Sequence, residues 1–321
     1  MRATYVSQPG SIGLVEVEKP RMQPGRVLVS RQVISLCGSD LHCVYYSPPD
    51  DYPLPVGVSG HEYVGIVEKS DQDRFRPGDR VLVHVADLTG LADYRLTRPD
   101  DLIPLPDEGD PEHLVMAQPL GTVLWACTRL ENIIGQDAVV LGQGALGLLF
   151  DWFLRRLGAR RVIGIDLEPA RLAVAPRMGA THTVDARQDD PRVAVRDLTH
   201  GQMADVVVEA AGELETINLA PKLARERGQL LFFGIPRGPE TFPFDYYDFF
   251  RHYLRVISSS GADLVPGLRR TYELAVDIIR RGEIDVAPLI SHRLPFTEAG
   301  VQRAFRLAHN REDDAVRVLI C

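Results

Sequence analysis

The sequence predicts an α/β protein with a β-rich first domain and a second domain built on a doubly wound parallel sheet. Short β-rich runs bounded by proline and glycine fill the chain up to about residue 105. From about residue 120, continuous apolar strands alternate with helical patterns. The length of 321 residues also favours two domains over one or three. We predict that residues 1–120, completed by residues 261–321, form the first domain and residues 121–260 the second.

The first domain is predicted from three short apolar runs, at residues 26–30, 64–68 and 79–83. Turn signals separate these runs, among them Gln23-Pro24-Gly25 and Arg76-Pro77-Gly78-Asp79. This pattern is typical of the strands of a small, barrel-like β domain.

The second domain is predicted from buried strands that alternate with helices. The predicted strands are residues 138–141, 161–166, 205–209 and 229–234. Apolar strands of this kind, separated by helices, are typical of a parallel sheet that is covered on both faces. A helical segment near residues 271–281 and a closing strand at residues 316–320 follow, and we assign both to the first domain.

The composition argues against two classes of protein. The chain has 36 Lys and Arg against 44 Asp and Glu, a net charge of −8, and a negative surface repels the phosphates of nucleic acids. The most apolar stretch, residues 138–154, contains Gln143 and Asp151 and is too short for the roughly 20 residues of a bilayer span. The N-terminus lacks the apolar core of a secretory signal. We therefore expect a cytoplasmic protein that binds neither nucleic acid nor membrane.

A glycine-rich segment follows the first strand of the second domain. Gly142, Gly144 and Gly147 fit the pattern G-x-G-x-x-G between a predicted strand and a predicted helix, the context of a dinucleotide-binding loop. The alternative is that these glycines serve only a turn, and the strand–helix context favours the dinucleotide loop over it. Asp166 ends the next strand, where a carboxylate accepts ribose hydroxyls and repels a 2′-phosphate. NAD is therefore favoured over NADP, although the guanidinium of nearby Arg171 would partly offset that repulsion.

Two segments of the first domain carry residue types that bind metals. Cys37-Gly38-Ser39-Asp40-Leu41-His42 is followed about twenty residues later by Gly60-His61-Glu62. Sulfur, nitrogen and oxygen donors together suit Zn²⁺ in a catalytic site that keeps one position open. Any one of these residues alone fits an ordinary buried or surface position. Their joint occurrence upstream of a dinucleotide loop favours the metal site.

These motifs together resemble those of the zinc-dependent medium-chain alcohol and polyol dehydrogenases. The resemblance rests on C-G-S-D-x-H, G-H-E-x-x-G, the turn R-P-G-D-R-V at residues 76–81 and G-x-G-x-x-G, in this order over nearly the whole chain. It implies a GroES-like catalytic domain made from both ends of the chain and a central Rossmann domain. It also places the chain in the sorbitol, threonine and glucose dehydrogenase-like branch.

The resemblance implies a role for each residue of the two segments. Cys37 and His61 resemble the first two zinc ligands, and Glu62 resembles the glutamate that binds the metal or exchanges with solvent. Asp40 would orient His61. Ser39 would hydrogen-bond the substrate hydroxyl, and His42 would pass its proton to solvent.

Two departures from the family pattern concern the metal. The family's next metal-site position, often Glu in E-P-L, is Gln118 here, an amide that some sugar dehydrogenases of the family also carry. The four closely spaced cysteines of the family's structural zinc are absent after residue 81. We expect one catalytic zinc per chain and no structural zinc.

The function implied is the reversible oxidation of a secondary alcohol, in a polyol, sugar or cyclitol, to a ketone with NAD. Two alternatives remain open: a zinc-independent NAD(P)H enone or quinone reductase of the same superfamily, and a non-catalytic nucleotide-binding homologue. The expected partners are a small-molecule alcohol or ketone and further copies of the chain, in a homodimer or homotetramer. Residues 255–258 resemble the family's dimer edge.

Overall fold

The computed structural model describes residues 1–85, 87–236, 241–259 and 266–321, without the side chains of residues 266 and 267. The strands are β1 (Arg2–Gln8), β2 (Ser11–Glu16), β3 (Val27–Ser35), β4 (Glu62–Ser70), β5 (Arg80–His84), β6 (Tyr94–Thr97), β7 (Leu102–Pro104), β8 (Asp137–Leu141), β9 (Arg161–Asp166), β10 (His182–Asp185), β11 (Ala204–Glu209), β12 (Ala224–Phe232), β13 (Arg255–Ser258), β14 (Ile290–Leu294) and β15 (Arg317–Ile320). The helices are α1 (Gly38–Tyr46), α2 (Pro111–Leu114), α3 (Ala117–Cys127), α4 (Ala145–Arg156), α5 (Pro169–Val174), α6 (Pro191–Leu198), α7 (Leu214–Leu223), α8 (Tyr246–Arg251), α9 (Pro266–Arg280) and α10 (Glu298–Asn310). Short 3₁₀ helices are Pro49–Asp51, Pro99–Asp101, Ala175–Met178 and Ala287–Leu289.

The chain divides into two units. Unit 1 comprises Met1–Gly121 and Ala262–Cys321, and unit 2 comprises Thr122–Gly261. The domain boundary that the sequence predicts between residues 260 and 261 lies outside the described residues. No helix in the described part of the chain is both long enough and apolar enough to span a membrane.

Unit 1 contains a seven-stranded sheet in the order β14-β15-β3-β4-β5-β7, with β6 also paired to β3, and a separate hairpin of β1 and β2. β3 and β4 are antiparallel, and their register places Ser35 opposite Glu62. On the other side of β3, the C-terminal strand β15 places Leu319 opposite Ser35. The segment after β3, the start of β4 and the start of β15 are therefore brought together at one end of the sheet.

Unit 2 contains a six-stranded sheet in the order β10-β9-β8-β11-β12-β13, in which all pairs are parallel. Every residue of β8 is buried, which explains why this strand is a continuous apolar run in the sequence. The strand order reverses between β8 and β11, and ligands of such sheets bind outside the carboxyl ends of the strands at this point.

The predicted α/β fold class is confirmed, with a doubly wound parallel sheet as the second sheet. The structure extends or shifts several predicted elements. The strand predicted at residues 229–234 begins earlier and ends at Phe232, and the helix predicted near residues 271–281 is α9, Pro266–Arg280. The hairpin of β1 and β2 was not predicted, because most of its residues are partly buried or exposed and they form no continuous apolar run.

Candidate metal centre and dinucleotide loop

Cys37, His61 and Glu62 lie together at the end of the unit 1 sheet. One potential ligand atom from each residue lies within 4.8 Å of those of the other two. Cys37 immediately precedes α1, whereas Glu62 opens β4, and the register of β3 on β4 brings the two segments side by side. In the described part of the chain, this is the one group of three His, Cys, Asp or Glu side chains arranged closely enough to hold a metal ion.

Asp40 fixes the two segments to each other. Its carboxylate accepts hydrogen bonds from the backbone N–H of Cys37 at 2.8 Å and of Gly60 at 2.7 Å, and lies 3.1 Å from Nδ1 of His61. Burial alone would raise the pKa of Asp40, but the His61 ring and the two amides lower it. Burial alone would lower the pKa of His61. The Asp40 carboxylate outweighs this effect, so the pKa of His61 is raised. Because Nδ1 of His61 faces Asp40, Nε2 is the ring nitrogen left for a metal.

Glu62 is fully buried and has a cationic partner that the sequence analysis did not identify. Nη1 of Arg317, on β15, lies 3.2 Å from Oε1 of Glu62 and donates to the carbonyl of Leu36 at 2.7 Å. The second carboxylate oxygen, Oε2, is buried and has no hydrogen-bond partner among the described residues. An orphaned carboxylate oxygen beside a thiol and an imidazole is a donor set that fits zinc. The signal for Arg317 in the sequence is a single charge in the otherwise apolar strand at residues 316–320.

Ser39 and His42, the predicted proton-relay residues, both lie on α1. Oγ of Ser39 is 3.4 Å from each ring nitrogen of His61, which places the hydroxyl beside one of the three candidate ligands. Nδ1 of His42 is buried and makes no hydrogen bond to any described residue. The two side chains are three positions apart and so lie on neighbouring parts of one helix face, but no hydrogen bond joins them in the described structure.

Gln118 is buried at the start of α3. Its Nε2 donates to the hydroxyl of Tyr272, on α9, at 3.3 Å. The Tyr272 ring is 6.2 Å from the ring of His84, which pairs with Glu62 across β4 and β5. Gln118 thus contacts a tyrosine whose ring lies near His84, the cross-strand neighbour of Glu62.

The glycine-rich segment forms the turn between β8 and α4. Gly142 has a φ of +90°, and a Cβ at this position would lie 2.9 Å from the side chain of Ala211. A Cβ on Gly147 would lie 1.8 Å from the carbonyl oxygen of Gly142. A side chain is therefore excluded at both positions, as the strand-turn-helix geometry requires.

Gly144, Asp166 and Arg171 surround the open side of this turn. A Cβ on Gly144 would meet a single described atom within 4 Å, Nη1 of Arg171 at 3.9 Å. Asp166 accepts hydrogen bonds from the backbone N–H of Gln143 at 2.5 Å and of Glu168 at 2.8 Å. The predicted cofactor residues of unit 2 are thus brought together around one loop, with the Arg171 guanidinium beside the second glycine.

Glu209 is a further buried carboxyl beside this loop. It ends β11, and its Oε1 accepts from the backbone N–H of Ala211 and Gly212, each at 2.9 Å, and from the hydroxyl of Thr216 at 2.7 Å. Burial raises the pKa of Glu209. Because Ala211 packs against Gly142, Glu209 supports the glycine turn from the neighbouring strand. The signal in the sequence is an acidic residue that ends an apolar strand.

Comparisons with known proteins identify the family to which this chain is similar. A family model described as "Alcohol dehydrogenase GroES-like domain" matches residues 23–107, and one described as "Zinc-binding dehydrogenase" matches residues 145–281. Sorbitol dehydrogenase of Bacillus subtilis is 24% identical, covering 100% of this chain and 97% of that protein. L-idonate 5-dehydrogenase of Vitis vinifera is 28% identical, covering 94% and 89%. The solved structure of an alcohol dehydrogenase from Thermus sp. ATN1 is 25% identical, with a TM-score of 0.84 over 100% of this chain and 99% of that one.

Proposed function

This chain belongs to the zinc-dependent medium-chain polyol dehydrogenase family, and from that premise we propose that it reversibly oxidises a secondary alcohol to a ketone with NAD. The substrate we propose is a polyol, sugar or cyclitol, in line with the names of the relatives. The observation that carries the proposal is the convergence of Cys37, His61 and Glu62 within 4.8 Å. These residues would hold one zinc per chain.

The three donors suit zinc by charge as well as by type. Among the ligands themselves, a thiolate and a carboxylate together carry a charge of −2, opposite to that of a divalent cation, and the imidazole supplies a neutral ligand. Zinc, when bound, polarises a hydroxyl as a Lewis acid and lowers its pKa. Asp40 would hold His61 in the tautomer that presents Nε2, and Arg317 would hold Oε1 of Glu62 and leave Oε2 to the metal.

Proton removal is assigned to α1. Ser39, whose hydroxyl lies beside His61, would accept a hydrogen bond from the substrate hydroxyl and take up its proton. His42, one turn along the same helix, would receive that proton at its unpartnered Nδ1 and release it to solvent. Substrate binding would have to bring the side chains of Ser39 and His42 within hydrogen-bonding distance of each other.

Cofactor binding is assigned to the turn between β8 and α4. The N-terminus of α4 presents backbone N–H groups and a positive dipole, which would hold the pyrophosphate of the dinucleotide. The absence of a side chain at Gly144 would allow the backbone to approach it. Arg171 would lie near the phosphates of the dinucleotide. Asp166 would accept hydrogen bonds from the ribose hydroxyls and disfavour a 2′-phosphate. NAD, which accepts the hydride at its nicotinamide ring, is therefore the proposed cofactor.

We assign small-molecule alcohols and ketones as substrates and the cytoplasm as the compartment. A homodimer or homotetramer is the proposed assembly. Its interface is assigned to the edge strand β13.

The test combines metal analysis with an activity panel. Protein purified without added zinc is expected to contain about one zinc per chain and to reduce NAD⁺ with at least one member of a panel of polyols, sugars and cyclitols. Cys37→Ser should lose both metal and activity. Cys43→Ser is the matched control, because Cys43 lies on α1 outside the three candidate ligands. Metal-free protein that remains active would contradict the proposal and favour the zinc-independent reductase.

Gln118 offers a separate test of the charge at the metal. Replacing its amide by the carboxylate that many relatives carry adds one negative charge. If that charge came within about 4 Å of the metal, it would correspond to roughly 4 kcal/mol at an effective dielectric constant near 20, before solvent and relaxation reduce it, and a greater distance would make the effect smaller. The Tyr272 hydroxyl can donate to the new carboxylate, so the fold is expected to tolerate it. We expect Gln118→Glu to lose zinc to a chelator more slowly than the wild type. An equal rate would show that position 118 does not act on the metal.

A further inference from the structure

An ion pair joins two segments beside Asp166, at the carboxyl ends of β9 and β10. Oε1 of Glu168, which precedes α5, lies 2.6 Å from Nη2 of Arg187, which follows β10. The Glu168 side chain is 30% exposed and the Arg187 side chain 50%, so a ligand in solution can reach both. Exposed pairs contribute little to stability, and the position of this one beside the proposed ribose-binding carboxylate points to a role in binding.

Backbone hydrogen bonds attach both partners of the pair to Asp166. The N–H of Glu168 donates to Oδ1 of Asp166 at 2.8 Å. The N–H of Ala186, next to Arg187, donates to the carbonyl oxygen of Asp166 at 3.0 Å. Asp185 is the partner of Asp166 in the parallel register, and its Oδ1 accepts from the N–H of Arg187 at 3.0 Å. The ion pair is therefore held where Asp166 would meet the ribose of a dinucleotide.

The charges at this end of the sheet disfavour a phosphate. Three carboxylates and two guanidiniums lie there, which leaves a net charge of −1: Asp166, Glu168 and Asp185 against Arg171 and Arg187. A 2′-phosphate is accommodated by a nearby arginine, and such contacts are strongest when the guanidinium offers two parallel N–H groups. The Arg187 guanidinium is paired with Glu168, and binding a phosphate would compete with that pair.

We propose that Glu168 determines cofactor specificity, because it holds Arg187 away from a 2′-phosphate and so strengthens the preference for NAD. With Glu168 in place, the 2′-phosphate of NADP would meet two carboxylates and a guanidinium that is already paired. Without Glu168, Arg187 would bind the phosphate. NAD carries a hydroxyl at this position, so its affinity would depend little on the pair. The inference rests on the proposed function, since it concerns the cofactor assigned there.

The test is the affinity of the purified full-length protein for NADH and NADPH, measured by the fluorescence of each dinucleotide. Glu168→Gln removes the charge, and we expect the Kd for NADPH to fall about tenfold, the effect of one charge-assisted hydrogen bond. The Kd for NADH should change by less than about twofold. Glu168→Ala also removes the acceptor and should show at least the same gain. The Glu168 side chain makes no capping bond to α5, so both variants should unfold at nearly the wild-type temperature.

A double variant tests whether the gain comes from Arg187. In Glu168→Gln with Arg187→Gln, the Kd for NADPH should return to about the wild-type value, because the guanidinium that would bind the phosphate is gone. Added salt should reduce the gain of Glu168→Gln, since it screens exposed charges. Glu226→Gln is the matched control. It removes the same charge from an exposed position at the amino end of β12, the end of the parallel sheet opposite to Asp166, and should leave both Kd values unchanged.

The outcomes distinguish this inference from the proposed function. A wild type that binds neither dinucleotide overturns both. A wild type that oxidises an alcohol with NAD⁺, with an unchanged ratio of the two Kd values in Glu168→Gln and Glu168→Ala, overturns the role of Glu168 alone. A gain that persists in the double variant also overturns it, because loss of repulsion and not release of Arg187 would then explain the gain. An equal gain in Glu226→Gln does the same, since any loss of negative charge would then suffice.

Discussion

Arg317 determines how much charge the candidate metal centre carries. A count limited to Cys37 and Glu62 gives −2 before any metal binds, but the guanidinium 3.2 Å from Glu62 contributes +1. The pair is buried, with 4% of the Arg317 side chain and 1% of the Glu62 side chain exposed. In such a pair each charge depends on the other, because neither can be solvated by water.

Removing Arg317 should therefore destabilise the metal-free protein strongly. Arg317→Met leaves the Glu62 carboxylate buried and uncompensated, and we expect a loss of about 3–5 kcal/mol in the free energy of unfolding, measured by urea denaturation in the presence of a chelator. Adding Glu62→Gln to this variant should recover most of the loss.

The matched control is Arg293→Met. Arg293 pairs with Glu112, but its side chain is 47% exposed, and exposed pairs contribute about 0–1 kcal/mol. Equal losses in Arg293→Met and Arg317→Met would contradict the argument that burial makes the Arg317 pair important.

The site residues differ in how far the sequence alone could predict them. Cys37 and His61-Glu62 lie in two short segments whose residue types indicate a metal, and the structure brings these segments together. Arg317 could not be placed in the same way, because its contact depends on the pairing of β15 with β3, which no local pattern encodes. The position of Gln118 beside Tyr272 depends likewise on the packing of α3 with α9.

At the scale of the element, two glycines of the turn between β8 and α4 have different roles. Gly144 is open, with only the Arg171 guanidinium near it in the described structure, whereas Gly147 contacts the carbonyl of Gly142. A methyl group at residue 144 would thus fill open space, which the proposed dinucleotide would need, while one at residue 147 would collide with the backbone itself.

The two alanine variants should behave differently. Gly144→Ala is expected to change the free energy of unfolding by no more than about 1 kcal/mol, since its φ of −66° suits any residue, yet to weaken NADH binding. Gly147→Ala should lower stability by about 1–3 kcal/mol or more and weaken binding as well. Thermal unfolding and fluorescence titration of both variants test this. Equal stability losses would show that residue 144 is also packed against the protein.

The buried carboxyl of α4 predicts a dependence of stability on pH. Burial raises the pKa of Asp151 in the folded protein, so between its ordinary pKa near 4 and that raised value the folded chain holds a proton that the unfolded chain has released. Stability then falls as pH rises through this window, by up to about 1.4 kcal/mol per pH unit. Asparagine does not titrate there, so Asp151→Asn should gain stability relative to the wild type as pH rises from 5 to 7.

Urea denaturation at several pH values measures this difference. Asp197→Asn, at an exposed position on α6, is the control and should differ from the wild type by the same amount throughout. A constant difference for Asp151→Asn as well would show that the carboxyl is not protonated in the folded protein.

Elements were predictable where burial is complete. β8, β9 and β11 were predicted within one residue of their observed bounds, because strands buried on both faces are continuous apolar runs. β10 and β14 were not predicted, since most of their residues are only partly buried or exposed and their sequences mix polar and apolar residues. Their positions are fixed by pairing with β9 and β15, which is tertiary information.

At the scale of the whole molecule, the edge of the unit 2 sheet presents an exposed surface that suits a second copy of the chain. β13 is the last strand of that sheet and pairs on one side only among the described strands. Near it in the sequence lie four aromatic side chains that are about 60% exposed: Tyr246, Tyr247, Phe250 and Tyr253. An unpaired strand edge with apolar neighbours favours association through that edge.

We therefore expect the protein to be at least a dimer at micromolar concentration in sedimentation velocity, with β13 of each copy at the interface. Val256, 40% exposed on β13, is the position to test, because Val256→Asp would bring two like charges together across a two-fold axis and bury them. That variant should sediment as a monomer. Val193→Asp introduces the same charge at a valine on α6 that is 49% exposed, and it should leave the assembly intact. If Val256→Asp remains oligomeric, the interface lies elsewhere. If the wild type is still a monomer at 100 times the micromolar concentration, the exposed aromatic residues must have another role.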